Sequence, residues 1–164
     1  MKKTIRNLRE VQRVISHPSV FFTIKDDYKD SPSGLARELL GRVDALVLMP
    51  NQDTVVIFKM MNMSMVEIHL ACIEGESRKR IAREVLKAID FMFSMAPSIH
   101  KFIAMIPEDN KLPCRLAGTM GMEREGRVKE GILKSGEYKD LIVYGATKDM
   151  FYNKFRGEIL CHQQ

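Results

Sequence analysis

Three consecutive cations, Arg78, Lys79 and Arg80, stand directly before an apolar periodic run that opens at Ile81 and Ala82. Free N–H groups and the helix dipole make such a helix start an anion site. Basic side chains at that end are unfavourable by roughly 0.3–1 kcal/mol unless a negative partner is present. The segment, with Ser77 leading it, therefore points to an anionic ligand; its plainer reading is a solvated basic turn. Upstream, Glu67 and His69 share one face of the alternating run 65–73. Either side chain is suited to take a proton from an ammonium, directly or through water. The plainer reading leaves both in solvent. Asn110 reads as a helix cap. Cys114 reads as a buried, inert thiol. Tyr144 reads as strand packing, with proton donation the alternative.

Metal and disulfide chemistry find no support. Four histidines, His17, His69, His100 and His162, are scattered. His69 and Cys72 lie near each other in sequence, but no second ligand pair accompanies them. The three cysteines, Cys72, Cys114 and Cys161, are an odd number without a CxxC pair. That excludes a disulfide framework and suggests a reducing, cytoplasmic setting.

The elements that must position these residues can be read from periodicity. Asn7 and Glu10 resemble a capping box, and Leu8, Val11, Val14 and Ile15 recur at helical spacing. That helix stops at His17, since a residue before proline resists helical geometry. Residues 19–24 form an apolar patch of undecided type, and 26–34 a polar loop. A short helix at 35–40 ends at Gly41 as its C′ residue. Strands follow at 43–49 and 54–61 around a turn at 50–53. After a turn at 62–64, the run 65–73 puts Val66, Ile68, Leu70 and Cys72 on one face. Glu67, His69, Ala71 and Ile73 take the other. These make three antiparallel strands.

Beyond the basic loop at 75–80, Ile81, Ala82, Val85, Ala88, Ile89, Met92 and Phe93 form the stripe of a long helix. It ends at Ala96-Pro97. A strand at 101–106 then lies parallel to 65–73 across a helical crossover. A helix at 110–120 turns Leu112, Leu116 and Ala117 inward and stops at Gly121. Strands at 122–134 and 138–147 flank a turn at 135–137. The tail, with Met150, Phe151 and Phe155, reads as a short helix.

Composition fits this reading. A length of 164 residues suits one domain, 1–164, with a full core. Apolar residues are 45% and charged residues 29%, as in soluble globular chains. The charge, 26 − 21 = +5, suits an anionic ligand without demanding nucleic acid. No basic patch interleaved with aromatics, as in single-strand binders, is present. No apolar run nears the ~18 residues of a membrane helix. The start, MKKTIRNLREVQR, lacks the apolar core of a signal peptide. The 12 methionines read as flexible core filling.

From residue 65 on, the order is strand, basic loop, long helix, strand, Asn-led helix and hairpin. Within it stands N-K-L-P-C-R-L-A-G-T-M-G-M at 110–122. This resembles the GNAT superfamily of acetyl-CoA-dependent N-acetyltransferases, in its RimJ/RimL-like branch. Asn110, Leu116 and Gly121 match the branch pattern, and Met122 stands where Phe is usual. Glu125-Gly126 and the strand Tyr138-Lys139-Asp140-Leu141-Ile142-Val143-Tyr144 continue it. The likeness covers residues 43–147, and 1–42 by element order.

The resemblance implies an α/β, GNAT-like mixed, mostly antiparallel sheet with a splayed central parallel strand pair and flanking helices. It implies acetyl-CoA as co-substrate, no metal, and direct attack by an amine, small or a protein N-terminus. Ser77, Arg78, Lys79, Arg80, Ile81 and Ala82 would hold the pyrophosphate, and Asn110 the pantetheine arm. The backbone of Ala71, Cys72 and Ile73 would carry the thioester oxyanion, with Cys114 lining the slot. Glu67 or His69 would be the base, and Tyr144 the acid for the leaving thiolate. A β-bulge in the run 65–73 would open its pairing with 101–106 near 71–73, with Ile81 and Ala82 closing the open end.

Three positions depart from the family. Its pyrophosphate loop, Gln/Arg-x-x-Gly-x-Gly/Ala, keeps only Ala82 here. Its usual acid, a tyrosine, falls on Ala117, and the branch's serine falls on Pro113. Arg80 can replace glycine where the backbone is already helical, since helical φ needs no glycine. These departures open a second reading, a non-catalytic GNAT-like interaction or structural protein, as among bacteriophage virion and head-assembly components. Its place would be the host cytoplasm or the virion.

Overall fold

Alternating β-branched residues broken by short polar turns build the sheet first. In the computed structural model the described residues are 8–24, 27, 31–73 and 78–160. The strands are β1 Ala45–Asn51, β2 Thr54–Asn62, β3 Met65–Cys72, β4 Lys101–Pro107, β5 Glu123–Lys134 and β6 Glu137–Thr147. They form one sheet in the order β1-β2-β3-β4-β6-β5. Only β3 and β4 run parallel; every other pair is antiparallel. The mixed sheet expected from the sequence is the one observed.

Helices cover both faces. On one side, α4 Arg78–Met95, α5 Lys111–Thr119 and α6 Lys148–Leu160 pack over Val56, Phe58, Val66, Phe102, Ala104 and Ile106. Phe93 of α4, Phe102 of β4 and Phe151 of α6 meet with ring centroids 5.7–6.1 Å apart. That aromatic junction fixes α4 over the centre of the sheet, each contact adding to the area term. On the other side, α1 Leu8–Ser16, α2 Pro18–Ile24 and α3 Pro32–Gly41 cover Val47, Met49, Val55, Ile57 and Ala71. The alternation expected along β3 is observed: Val66, Ile68 and Leu70 join the first core, Ala71 and Ile73 the second. Among the described residues, no helix is long and apolar enough to cross a membrane.

Some expectations need correction. The undecided patch is helical, because Pro18 starts a new helix as readily as it ends the last one. Pro32 does the same for α3, with Ser31 Oγ accepting from the Gly34 N–H at 3.1 Å. Gly41 closes α3 in ordinary helical geometry, followed by an extended Arg42, so it is no left-handed C′ residue. Strand β1 starts at Ala45, leaving Val43 wholly exposed in the preceding turn. Gly121, with φ of 77°, does end α5 as expected. The capping residue expected at Asn7 lies outside the described residues.

One long-range tie brings the α2–α3 connection to the far hairpin. The Asp27 carboxylate accepts from the Ser135 and Gly136 N–H groups, at 2.9 and 2.7 Å. Both turn residues have positive φ, so their N–H groups can converge on one side chain.

Candidate active site

The central feature is a fork in the sheet. Strands β3 and β4 pair through three rungs only, Met65↔Lys101, Val66↔Phe102 and Glu67↔Ile103. Beyond them the two strands part. Each stays satisfied on its outer edge, β3 with β2 as far as Cys72 and β4 with β6 as far as Pro107. The facing edges of 68–71 and 104–106 form no ladder with one another. The gap therefore opens earlier than the expected 71–73. It also opens without the expected bulge, since the β2–β3 register runs unbroken from Cys72 to Val66.

Helix α4 begins at the wide end of the crossover. Arg78, Lys79 and Arg80 form its first turn, which contains no acidic residue. Lys79 and Arg80 are exposed, while Ile81 and Ala82 pack partly buried against the first core. The helix starts earlier than the sequence suggested, so the basic triplet is helical rather than loop. Ser77 and the Arg78 side chain lie outside the described residues.

Glu67 marks the vertex of the fork, on the last rung and on the face away from α4. It is 4% exposed, a depth rare for a carboxylate without partners. Its Oε2 lies 3.4 Å from His69 Nε2 and 3.6 Å from Lys59 Nζ. Burial pushes the carboxyl up, but the hydrogen bond and charge of His69, then of Lys59, outweigh it. Glu67 ends below the usual carboxylate range and is ionised at neutral pH. Glu67 is not a solvated strand residue, while the Lys59 and His69 side chains stay partly open, at 37% and 45% exposure.

Tyr144 and Cys114 come together elsewhere. Tyr144 stands opposite Ala104 on one side and Arg124 on the other. Burial first, then the neighbouring Cys114, pushes its phenol above the ordinary value. The two share an open cleft of about 310 Å³ with Glu108, Lys111, Arg124 and Ile142. No residue of β3 or α4 lines it. Asn110 precedes α5 but makes no capping bond with its side chain, so the expected cap is absent.

Lys59 was missed by inspection of the sequence, although a signal existed. Lys59 and Glu67 sit symmetrically about the 62–64 turn, and hairpin register alone pairs them. Among the described residues, no group of His, Cys, Asp or Glu side chains is arranged to hold a metal ion.

No family model matches the sequence, and neither does any curated protein. Solved structures do match the fold. A spermidine N-acetyltransferase from Vibrio cholerae, in complex with CoA and spermine, aligns with a TM-score of 0.69 at 17% identity. The alignment covers 91% of this chain and 95% of that one. The RimJ of Mycobacterium smegmatis, in complex with CoA-disulfide, aligns at 0.69 and 13% identity, over 88% and 80% of the two chains. A ribosomal-protein-S5-alanine acetyltransferase from Vibrio fischeri aligns at 0.68 and 16% identity, over 87% and 88%. This chain has the GNAT acetyltransferase fold. Its GNAT sheet carries the parallel pair that parts midway, and its GNAT crossover helix carries the basic start.

Proposed function

We propose that this GNAT-fold chain is an acetyl-CoA-dependent N-acetyltransferase acting on a primary amine. The observation that carries the reading is the three-rung pairing of β3 and β4, with Glu67 at the vertex of the gap beyond it. The gap leaves two strand edges facing each other, and an extended pantetheine amide chain can add to such edges like a strand. The basic first turn of α4 suits the pyrophosphate, where N–H groups, dipole and side chains all favour anions. Acetyl-CoA would supply the thioester carbonyl.

The residues divide the remaining work. Glu67, ionised and screened from bulk water, takes a proton from the incoming ammonium through a water molecule. The neutral amine then attacks the carbonyl from the face that Glu67 and His69 share. As the new N–C bond forms, the C–S bond breaks and the thiolate leaves, taking a proton from solvent. Tyr144 lines the cleft it shares with Cys114, which no residue of β3 or α4 lines, and this reading gives it no part in the step. The acceptor is a small amine or a protein N-terminus; the fold neighbours named above include a spermidine N-acetyltransferase and a ribosomal-protein-S5-alanine acetyltransferase.

Calorimetric titration with acetyl-CoA tests the reading, followed by thiol release with spermidine and with an alanine-terminated peptide. Binding at micromolar to low millimolar concentration and amine-dependent release are expected. No binding at millimolar acetyl-CoA sinks the proposal. One feature favours a second reading, a GNAT-fold interaction protein without catalysis: residues 77–82 contain no glycine. Binding without thiol release across an amine panel would select it.

A further inference from the structure

The carboxylate at the vertex of the fork is held from a second strand. Lys59 of β2 and Glu67 of β3 are direct partners in the antiparallel register. Side chains so placed meet across the strands. The Lys59 ammonium lies 3.6 Å from Oε2 of Glu67, and His69 Nε2 lies 3.4 Å from the same oxygen. Burial works against the charged carboxyl, and these two partners oppose that effect. A buried charge that loses its partner is left uncompensated, and a carboxyl in that position takes up a proton instead.

The other charged groups on this face are engaged with one another. Lys101, one pleat along β4 from the rung at Glu67, pairs with Glu125 of β5 at 2.7 Å. Arg42, between α3 and β1, feels Glu67 at longer range, but both its bonds go to Asp44, at 2.9 and 2.7 Å. Among the described residues of α1, α2 and α3, none forms an ion pair with Glu67. The direct support therefore comes from Lys59 and His69. An imidazole also exchanges protons in the neutral range, so replacing His69 would change more than one property at once. Lys59 isolates the effect of the charge.

We propose that Lys59 is a positioning residue for the acceptor step, its ammonium holding the Glu67 carboxylate charged and oriented at the vertex of the fork. Lys59 neither gives nor takes a proton. The acceptor's proton passes through water to Glu67, which returns it to solvent after the thiolate has left. The role rests on the acetyltransferase reading; the pairing itself rests on the register and the 3.6 Å contact. A cross-strand pair that merely fastens the hairpin would show no link between Lys59 and the pH dependence of turnover.

The test compares the intact native protein with Lys59→Met, Lys59→Gln and Lys59→Arg. Thiol release from acetyl-CoA, with spermidine and with an alanine-terminated peptide, gives kcat/KM from acid to mildly alkaline pH. In both neutral variants the acid limb should move to higher pH by about one unit, which is about tenfold in rate on that slope. Near pH ~8 the loss should shrink to about threefold or less. Lys59→Arg should restore the native limb. Carbon-13 NMR of the Glu67 carboxyl, assigned with Glu67→Gln, should show the same upward move of its midpoint without any turnover. Native release with an unmoved limb in the neutral variants overturns this role alone. So does an equal loss at every pH that Lys59→Arg fails to restore. No thiol release by the native chain would instead bring down the acetyltransferase reading, and this role with it.

Discussion

The carboxylate of Glu125 lies flat over the Cα of Gly145. A Cβ built at Gly145 would stand 2.4 Å from Oε1 of Glu125 and 2.5 Å from its Cδ. Glu125 is the extra residue where the β5–β6 register shifts between Arg124 and Gly126. Its Oε2 also pairs with Lys101 Nζ at 2.7 Å. Gly145 follows Ile103 in the same cross-strand row that begins at Lys59 and Glu67.

Gly145→Ala should be close to neutral for stability, despite that overlap. The clashing atoms are the far end of a flexible side chain, which can swing away. Losing a half-exposed ion pair costs about 0–1 kcal/mol. Alanine in a strand regains roughly 0.5–1 kcal/mol over glycine. Thermal unfolding should therefore move by only a few degrees. A loss above about 3 kcal/mol would mean that Glu125 is held in place by more than Lys101.

Glu67→Gln should lower amine turnover by on the order of 10²-fold or more, the usual range for a lost general base. Acetyl-CoA affinity should hold, because the side chain faces away from α4. A stopped-flow binding measurement beside the thiol-release assay separates the two. Unchanged turnover would remove Glu67 from the chemistry.

The same carboxylate sets a pH dependence of stability. Its folded value is depressed below the unfolded value of about 4.3, so the folded state prefers the ionised form. The stabilising contribution is present above the unfolded value and is lost as pH falls through the folded one. Denaturant melts between pH 3 and 7 should show a shallower acid-side loss in Glu67→Gln than in the native chain. Parallel curves would contradict the assignment.

Lys79→Ala should separate function from stability. Removing this exposed cation from the positive end of α4 should raise stability by up to roughly 0.3–1 kcal/mol, less where solvent screens it. The same change should weaken acetyl-CoA binding. A variant that melts higher yet binds less supports a ligand-holding role; unchanged affinity leaves Lys79 a solvated side chain on the first turn of α4.

Phe93→Ala should cost roughly 3–5 kcal/mol, as expected for deleting a fully buried aromatic side chain. Phe102 and Phe151 both lose a ring partner, so α4 loosens over the fork. Chemical denaturation gives the number, and a loss below about 1 kcal/mol would place α4's anchorage elsewhere.

Most of the sheet was legible because each strand from Val55 to Ala71 alternates faces with β-branched or long apolar residues, and short turns separate them. The parallel crossover was legible from the length of the α4 stripe. The starts of α2 and α3 were harder, since Pro18 and Pro32 stop one element and start the next. The fork's position was not legible. It depends on where two strands cease to pair, and Ile68 and Ala104 carry no local signal for it. Glu67's burial was equally hidden, because strand alternation places a residue on a face without saying how that face is covered. The contact between Glu125 and Gly145 required a register shift that no residue type announces.

Three backbone rungs are all that stitch β1-β2-β3 to β4-β6-β5, against eight register pairs between β2 and β3 and seven between β4 and β6. Mechanically the sheet is two rigid plates with a short seam. Side-chain packing under α4, not the ladder, sets the angle between them. A molecule threading the gap with its own amides would extend the seam and make the plates act as one. Slow amide exchange should then spread across both halves together, whereas in the free protein each plate opens on its own schedule.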